Sequence, residues 1–143
     1  AAQLQWDQVD FGDLTFTLPD TKNGQAHTLP LSDYLESLLK RRHENRINNF
    51  VFPSDSKTGH LIDPQKSLLR ISNISGVSFT LHDLRRTFIT IAEGLDIPAY
   101  ALKQLLNHKD SRDVTAGYII SDVERLRNPM QKISDYIHSA LFS

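Results

Sequence analysis

The sequence predicts an α+β fold, mostly helical, with a small antiparallel three-stranded sheet near the N-terminus. Two observations carry this. Short strand-like runs separated by turn residues fill the chain from Gln3 to Ser32, and beyond Ser32 the apolar residues take up the three-and-four spacing of helices. A length of 143 residues and a hydrophobic fraction of 39% suit one modest core, and no Pro/Gly/Ser-rich tract or internal repeat marks a linker. A single domain is expected.

The strands are "QVDF", "LTFTL" and "HTLPL". Asn23-Gly24 lies between the last two, and this pair favours a tight hairpin because both central positions of such a turn need φ > 0; Lys22 then sits at a hairpin tip. After "PLS", Leu31, Leu35, Leu38 and Leu39 fall on one face, Ser32 caps, and "KRRHENR" places positive charge at the end of a helix of about three turns. "FVFPS" is a short extended piece ended by Pro53, and "DSKTGH" a loop. Asp63-Pro64 opens a second helix that runs to about Asn73, where "SNISG" stops it.

The third helix opens at Thr80 with Asp83 as its capping partner, carries Leu84, Phe88, Ile91 and Ala92 inward, and ends at Gly94. Pro98 starts a fourth, ending at Asn107-His108, and a further turn or two after Asp110-Ser111 contains Tyr118. Val123, Leu126, Met130, Ile133, Ile137 and Leu141 form an apolar stripe down the C-terminal segment, which Asn128-Pro129 is expected to kink or restart.

Composition narrows the function. The absence of cysteine removes disulfides, thiolate metal sites and cysteine nucleophiles together, and no apolar run approaches the roughly 18 residues of a membrane span. With no basic and then apolar leader at its start, the chain is expected to be cytoplasmic. A net charge of -1 neither demands nor forbids an anionic partner, because nucleic-acid binding depends on where Lys and Arg lie.

The chemistry-bearing residues are strung through the second half. His82 and Arg85 are three apart on one helix and project from the same face. Arginine offers a planar fork of donors that suits phosphate oxygens, and histidine exchanges a proton near neutral pH. His108 stands at a helix end, and Tyr118 follows ten residues later. A tyrosine with an ordinary pKa of about 10 attacks phosphorus without a metal when nearby cations take up or destabilise its proton. His27, His43, His60 and His138 have no partner at metal-ligand spacing and read as structural or surface residues. Each feature taken singly has an ordinary structural explanation; their combination is more specific.

A hairpin lysine, then H-x-x-R in "LHDLRRTF", then "LLNH", then "GYI", resembles the catalytic domain of tyrosine recombinases of the phage integrase type. The likeness covers essentially the whole chain, from "LQWDQVDF" and "TKNGQAHTLPLS" to the tyrosine segment. It implies that Arg85 is the second catalytic arginine, holding the non-bridging oxygens of the scissile phosphate, and that His82 helps accept the tyrosine proton. It implies that His108 is a further phosphate donor, that Lys22 is the general acid for the leaving 5′-oxygen, and that Tyr118 is the nucleophile. The product of attack is a 3′-phosphotyrosyl DNA link, which stores the bond energy, so neither metal nor other cofactor is expected.

The same resemblance places a first catalytic arginine a few residues ahead of the position of Ala1. Residues 1–143 then correspond to the C-terminal catalytic domain of a phage-type integrase, cut short at its N-terminus. Alone they are expected to capture DNA weakly or not at all, and efficient covalent capture of a suicide substrate by this fragment would refute that. The His108 to Tyr118 separation is one residue longer than the commonest family spacing, so Tyr118 is expected to stand away from the phosphate pocket when no DNA is bound.

Double-stranded DNA is the expected partner, met through Arg41 and Arg42 at one helix end and through Arg86, Lys103, Lys109 and Arg112 around the site. The resemblance also implies a homotetramer on DNA, with a monomer open to the isolated domain, and leaves room for an accessory DNA-bending protein. The C-terminal stripe packs on its own core or on a neighbour. Two other functions share these residues: strand passage of the type IB topoisomerase kind, and a non-catalytic DNA-binding module. Retention of all five candidate catalytic residues argues against the last.

Overall fold

In a computed structural model of the chain, which describes residues 2–21, 24–108 and 123–142, a three-stranded antiparallel sheet is followed by five helices. Strand β1 (Val9–Asp10) pairs with β2 (Thr15–Leu18), and β2 with β3 (His27–Pro30). The register sets Val9 opposite Phe16, Phe16 opposite Leu29 and Leu18 opposite His27, so all five share one face of the sheet. On the other face Thr17 and Thr28 join hydroxyls at 2.8 Å.

The β2–β3 connection is wider than a two-residue Asn23-Gly24 turn. Leu18 and His27 are the last pair of the ladder, because Pro19 has no N–H with which to extend it. Gly24 donates its N–H to the Thr21 carbonyl and has φ 66°, so it closes a turn instead of sitting at its centre. Lys22 and Asn23 lie outside the described residues.

Helix α1 (Asp33–Glu44) begins as expected, with the Ser32 hydroxyl accepting from the Leu35 N–H. Ser32 is itself buried and donates to Ser134 Oγ at 2.7 Å, while the Asp33 N–H donates to Gln131 Oε1, which docks the start of α1 on the last helix. Asp63 accepts from the Gln65 N–H at the start of α2 (Gln65–Ser75). That helix runs two residues past Asn73, because Gly76, at φ 72°, is the residue that takes the left-handed conformation.

Helix α3 (Leu81–Gly94) departs from expectation at both ends. Leu84 is half exposed: the contact of α3 with the core starts a turn later, at Phe88, and the first turn lies outside it. At the other end Gly94 stays helical and Asp96, at φ 52°, reverses the chain. Asp96 N–H donates to the Glu93 carbonyl and Ile97 N–H to that of Ala92, a Schellman pair sealed by burial of Ile97 with Ala92 in the core. The buried isoleucine, more than the glycine, fixes where the helix stops.

Helix α4 (Ala99–Leu105) follows Pro98, and α5 (Val123–Phe142) closes the fold. Pro129 neither stops nor restarts α5. It is buried together with Leu126, Met130 and Ile133, and that packing offsets the lost backbone bond. The stripe is partly buried at Val123, buried from Leu126 to Ile133 and partly buried at Ile137, whereas Leu141 is exposed. Arg127 pins α5 to the β1–β2 turn by donating to the carbonyls of Asp13 and Leu14, and it pairs with Glu124 at 2.7 Å. Among the described residues no helix is long and apolar enough to cross a membrane.

Two apolar clusters result. One joins Leu29 of β3 to Ala92, Ile97, Ala101, Leu105, Leu126, Met130 and Ile133; the other joins Leu4, Val9, Leu31, Leu39 and Val51, and Phe16 packs against both. Helix α5 touches β3, α1, α3 and α4, so it packs on its own chain and holds the first cluster together. Ile133, fully buried on α5, is the residue whose truncation should cost most: Ile133→Ala is expected to destabilise the fold by about 2–5 kcal/mol, read by denaturant unfolding.

Candidate active site

The site is built where the start of α3 meets the end of α4. A complete capping box sets the first turn of α3: Asp83 N–H donates to Thr80 Oγ1 at 3.2 Å, and Thr80 N–H and Oγ1 donate to Asp83 Oδ2 at 2.9 and 2.7 Å. Those two donations hold the Asp83 carboxyl below its ordinary pKa, with the charges of Arg86 and His82 adding to the effect. The box fixes the rotation of α3, so His82 and Arg85 stand one turn apart on one side of it. His82 is exposed and Arg85 half-buried.

Arg85 reaches across to α4. Its Nη2 donates to the Leu106 carbonyl at 2.9 Å, and none of its other donors has a partner among the described residues. One arm of the guanidinium thus ties the start of α3 to the end of α4. His108 lies two residues past that carbonyl.

A second Schellman pair places His108. Asn107 takes φ 52° and donates to the Gln104 carbonyl at 3.0 Å, and the His108 N–H donates to the Lys103 carbonyl at 2.9 Å. Asparagine tolerates this left-handed conformation better than most residues with a side chain, which is what "LNH" requires at its middle position. His108 is exposed at the end of the turn. The structure therefore brings His82, Arg85 and His108 to one region. Lys22, Lys109, Arg112 and Tyr118 lie outside the described residues.

The surrounding cations divide into two groups. Arg86 and Lys103 are exposed on α3 and α4, beside the site. Arg41 and Arg42 are at the far end of α1, whose Leu39 belongs to the second cluster. Arg42 donates from both Nε and Nη2 to the Val51 carbonyl, and its guanidinium lies over the Phe52 ring at 5.6 Å, so it ties α1 to the segment after it. Among the described residues no group of three or more His, Asp or Glu side chains is placed to hold a metal ion.

One titratable residue near the site, read from the sequence as structural or surface, is buried. His27 is 8% exposed, on the face of β3 that carries Leu29, and its Nε2 has no hydrogen-bond partner among the described residues. The signal was the strand alternation His27, Leu29, which puts both on the same face. Burial lowers the His27 pKa, and the Gln104 backbone carbonyl facing the ring opposes that only in part.

The folded chain therefore resists a proton that the unfolded chain accepts. Stability is expected to be complete above the ordinary value of 6.5 and to fall as pH drops below it. Thermal unfolding between about pH 7.5 and 5.5 checks this: wild type should lose more stability on acidification than His27→Leu.

Comparison with known proteins follows the same lines. Residues 1–125 match the family model described as the phage integrase family. The chain is 30% identical over 142 residues to the prophage integrase IntF of Escherichia coli (strain K12), in an alignment that covers 95% of the chain and 30% of that protein. It is 27% identical over 126 residues to a Haemophilus influenzae protein named "Putative integrase/recombinase", covering 85% of the chain and 32% of the relative. The chain thus spans about a third of the length of these relatives.

Proposed function

The chain belongs to the phage integrase family, and on that premise we propose that it breaks and rejoins double-stranded DNA in site-specific recombination, the integration or excision of a phage or other mobile element. Tyr118 Oη attacks the scissile phosphorus. The new bond is Tyr118 Oη–P and the bond lost is P–O5′. The tyrosine proton passes towards His82, and Lys22 protonates the departing 5′-oxygen. Arg85 and His108 bind the equatorial oxygens, where negative charge accumulates in the transition state. Attack by a 5′-hydroxyl on the phosphotyrosine reverses the sequence and seals a strand.

The observation that supports this reading best is the Arg85–Leu106 hydrogen bond, which joins the H-x-x-R helix to the turn carrying His108. Phosphoryl transfer by positioned cations needs donors from separate elements held in one place, and this bond does that holding. Duplex DNA is the proposed partner, gripped through its backbone by Arg86, Lys103, Lys109 and Arg112, with a homotetramer as the active assembly. Arg41 and Arg42 would contact a more distant part of the duplex.

The test is covalent capture. The full-length protein that carries this sequence is mixed with nicked duplexes drawn from DNA flanking its gene, and protein-linked DNA is resolved under denaturing conditions. A product joined through its 3′-phosphate is expected; persistent absence of any covalent product with every flanking duplex would overturn the reading.

A further inference from the structure

We propose that helix α2 reads DNA sequence: Arg70 and Asn73 contact base edges in the major groove, and Lys66 holds the backbone beside them. The proposal deepens the recombination reading above and rests on its duplex partner.

Three observations carry it, and the first is placement. In α2 Leu68 is buried and Ser72 half-buried, and every other residue is exposed. Lys66, Arg70 and Asn73 recur at spacings of four and three, so they form one row along the helix, with Leu68 on the opposite side. The side chains of all three are without a hydrogen-bond or ion-pair partner among the described residues. The helix thus turns a row of donors outward.

The second is charge and chemistry. The chain carries 17 acidic residues, yet none lies between Asp63 and Asp83, the stretch that holds Lys66 and Arg70. A chain of net charge -1 therefore presents a locally cationic helix, complementary to a polyanion. An α-helix fits the major groove, where the arginine fork matches guanine O6 and N7 and the asparagine amide matches adenine N6 and N7. Leu69 and Ile74, 64% and 77% exposed, flank the row, and apolar groups there suit the thymine methyls of the same groove. Lysine, a point charge on a flexible stem, suits a phosphate.

The third is position. Gly76, at φ 72°, ends α2, and residues 76–79 lead directly to Thr80, the cap of the helix that carries His82 and Arg85. The path from Asn73 to Arg85 spans at most about 30 Å, less than one turn of duplex. A phosphate on Arg85 and bases under α2 can therefore belong to one site. Site-specific recombination needs such a reader, because backbone contacts such as those proposed for Arg86 and Lys103 position a duplex without reading it.

The test is a base-by-base binding profile. The full-length protein is bound to the flanking duplex for which its affinity is highest, and each base pair is replaced in turn. In wild type, replacing either of two nearby pairs, one presenting guanine and the other adenine, should cost about tenfold or more in affinity. Arg70→Ala should erase the penalty at the guanine and Asn73→Ala the penalty at the adenine, with all other positions keeping theirs. On the intact duplex each variant should bind about 10- to 100-fold more weakly. Lys66→Ala should instead weaken every duplex alike and lower the salt slope by about one.

Uniform weakening of every duplex by Arg70→Ala and Asn73→Ala would make both residues backbone contacts and overturn the proposal. An unchanged profile, or a change of assembly state in its place, would make the row a solvent-facing or protein-facing surface and overturn it as well. Covalent capture is read on the same duplexes. Its absence in wild type would remove the recombination reading, and the binding profile alone would then decide the role of α2.

Discussion

Tyr118→Phe is expected to abolish covalent DNA capture by the full-length protein while leaving DNA binding within about twofold of wild type. The substitution removes one oxygen, the atom proposed to form the bond to phosphorus, and keeps the ring. Serine, threonine and water are not expected to replace it, because a phenol, with a pKa of about 10, gives up its proton far more readily than an alkyl alcohol. Capture should be read on nicked DNA, where the cleaved fragment diffuses away and the adduct accumulates. An undiminished adduct in Tyr118→Phe would mean that another residue is the nucleophile.

Arg85→Ala is expected to slow capture by at least about 10²–10³-fold, the usual effect of removing one donor from a developing oxyanion. Arg85 is asked to do two things, since Nη2 holds the Leu106 carbonyl while the other donors face no described partner. Arg85→Lys separates them. Lysine keeps the charge but is a point donor without the fork, so it cannot bridge Leu106 and a phosphate with the same geometry, and most of the loss should persist. Unfolding measured on the same variants should show a penalty of about 1–3 kcal/mol, small beside the kinetic effect. If instead the rate loss followed stability across Ala and Lys, Arg85 would be a structural tie alone.

Much of the fold could be read from the sequence because local chemistry decides it. The Thr80 and Asp83 pair, the Ser32 cap and the stripe from Leu126 to Ile133 each follow from a few neighbouring residues, and each is present in the structure. What escaped depends on residues distant in sequence. Gly94 looked like the end of α3, but the stop is set by burial of Ile97 against a core that includes α5. Leu84 follows the apolar period of its helix, yet the core begins a turn beyond it. The width of the β2–β3 connection depends on where the ladder stops at Leu18 and His27.

The site divides in the same way. The spacing of His82 and Arg85 is local and legible. Their link to His108 runs through a bond between residues 85 and 106, and its geometry depends on an asparagine at φ 52°, which no periodicity announces. Arg42 shows the same limit: two of its nitrogens donate to the Val51 carbonyl, a tie that its place in a run of basic residues does not announce.

The central claim, that this chain supplies a tyrosine nucleophile, with His82 to take its proton, to a phosphate held by Arg85 and His108, is tested most directly by locating the DNA on the protein. The covalent adduct trapped from the full-length protein is digested with protease and nuclease, and the modified peptide is sequenced by mass spectrometry. The account predicts a nucleotide joined through its 3′-phosphate to Tyr118. A nucleotide on any other residue, or one attached through a 5′-phosphate, would contradict it.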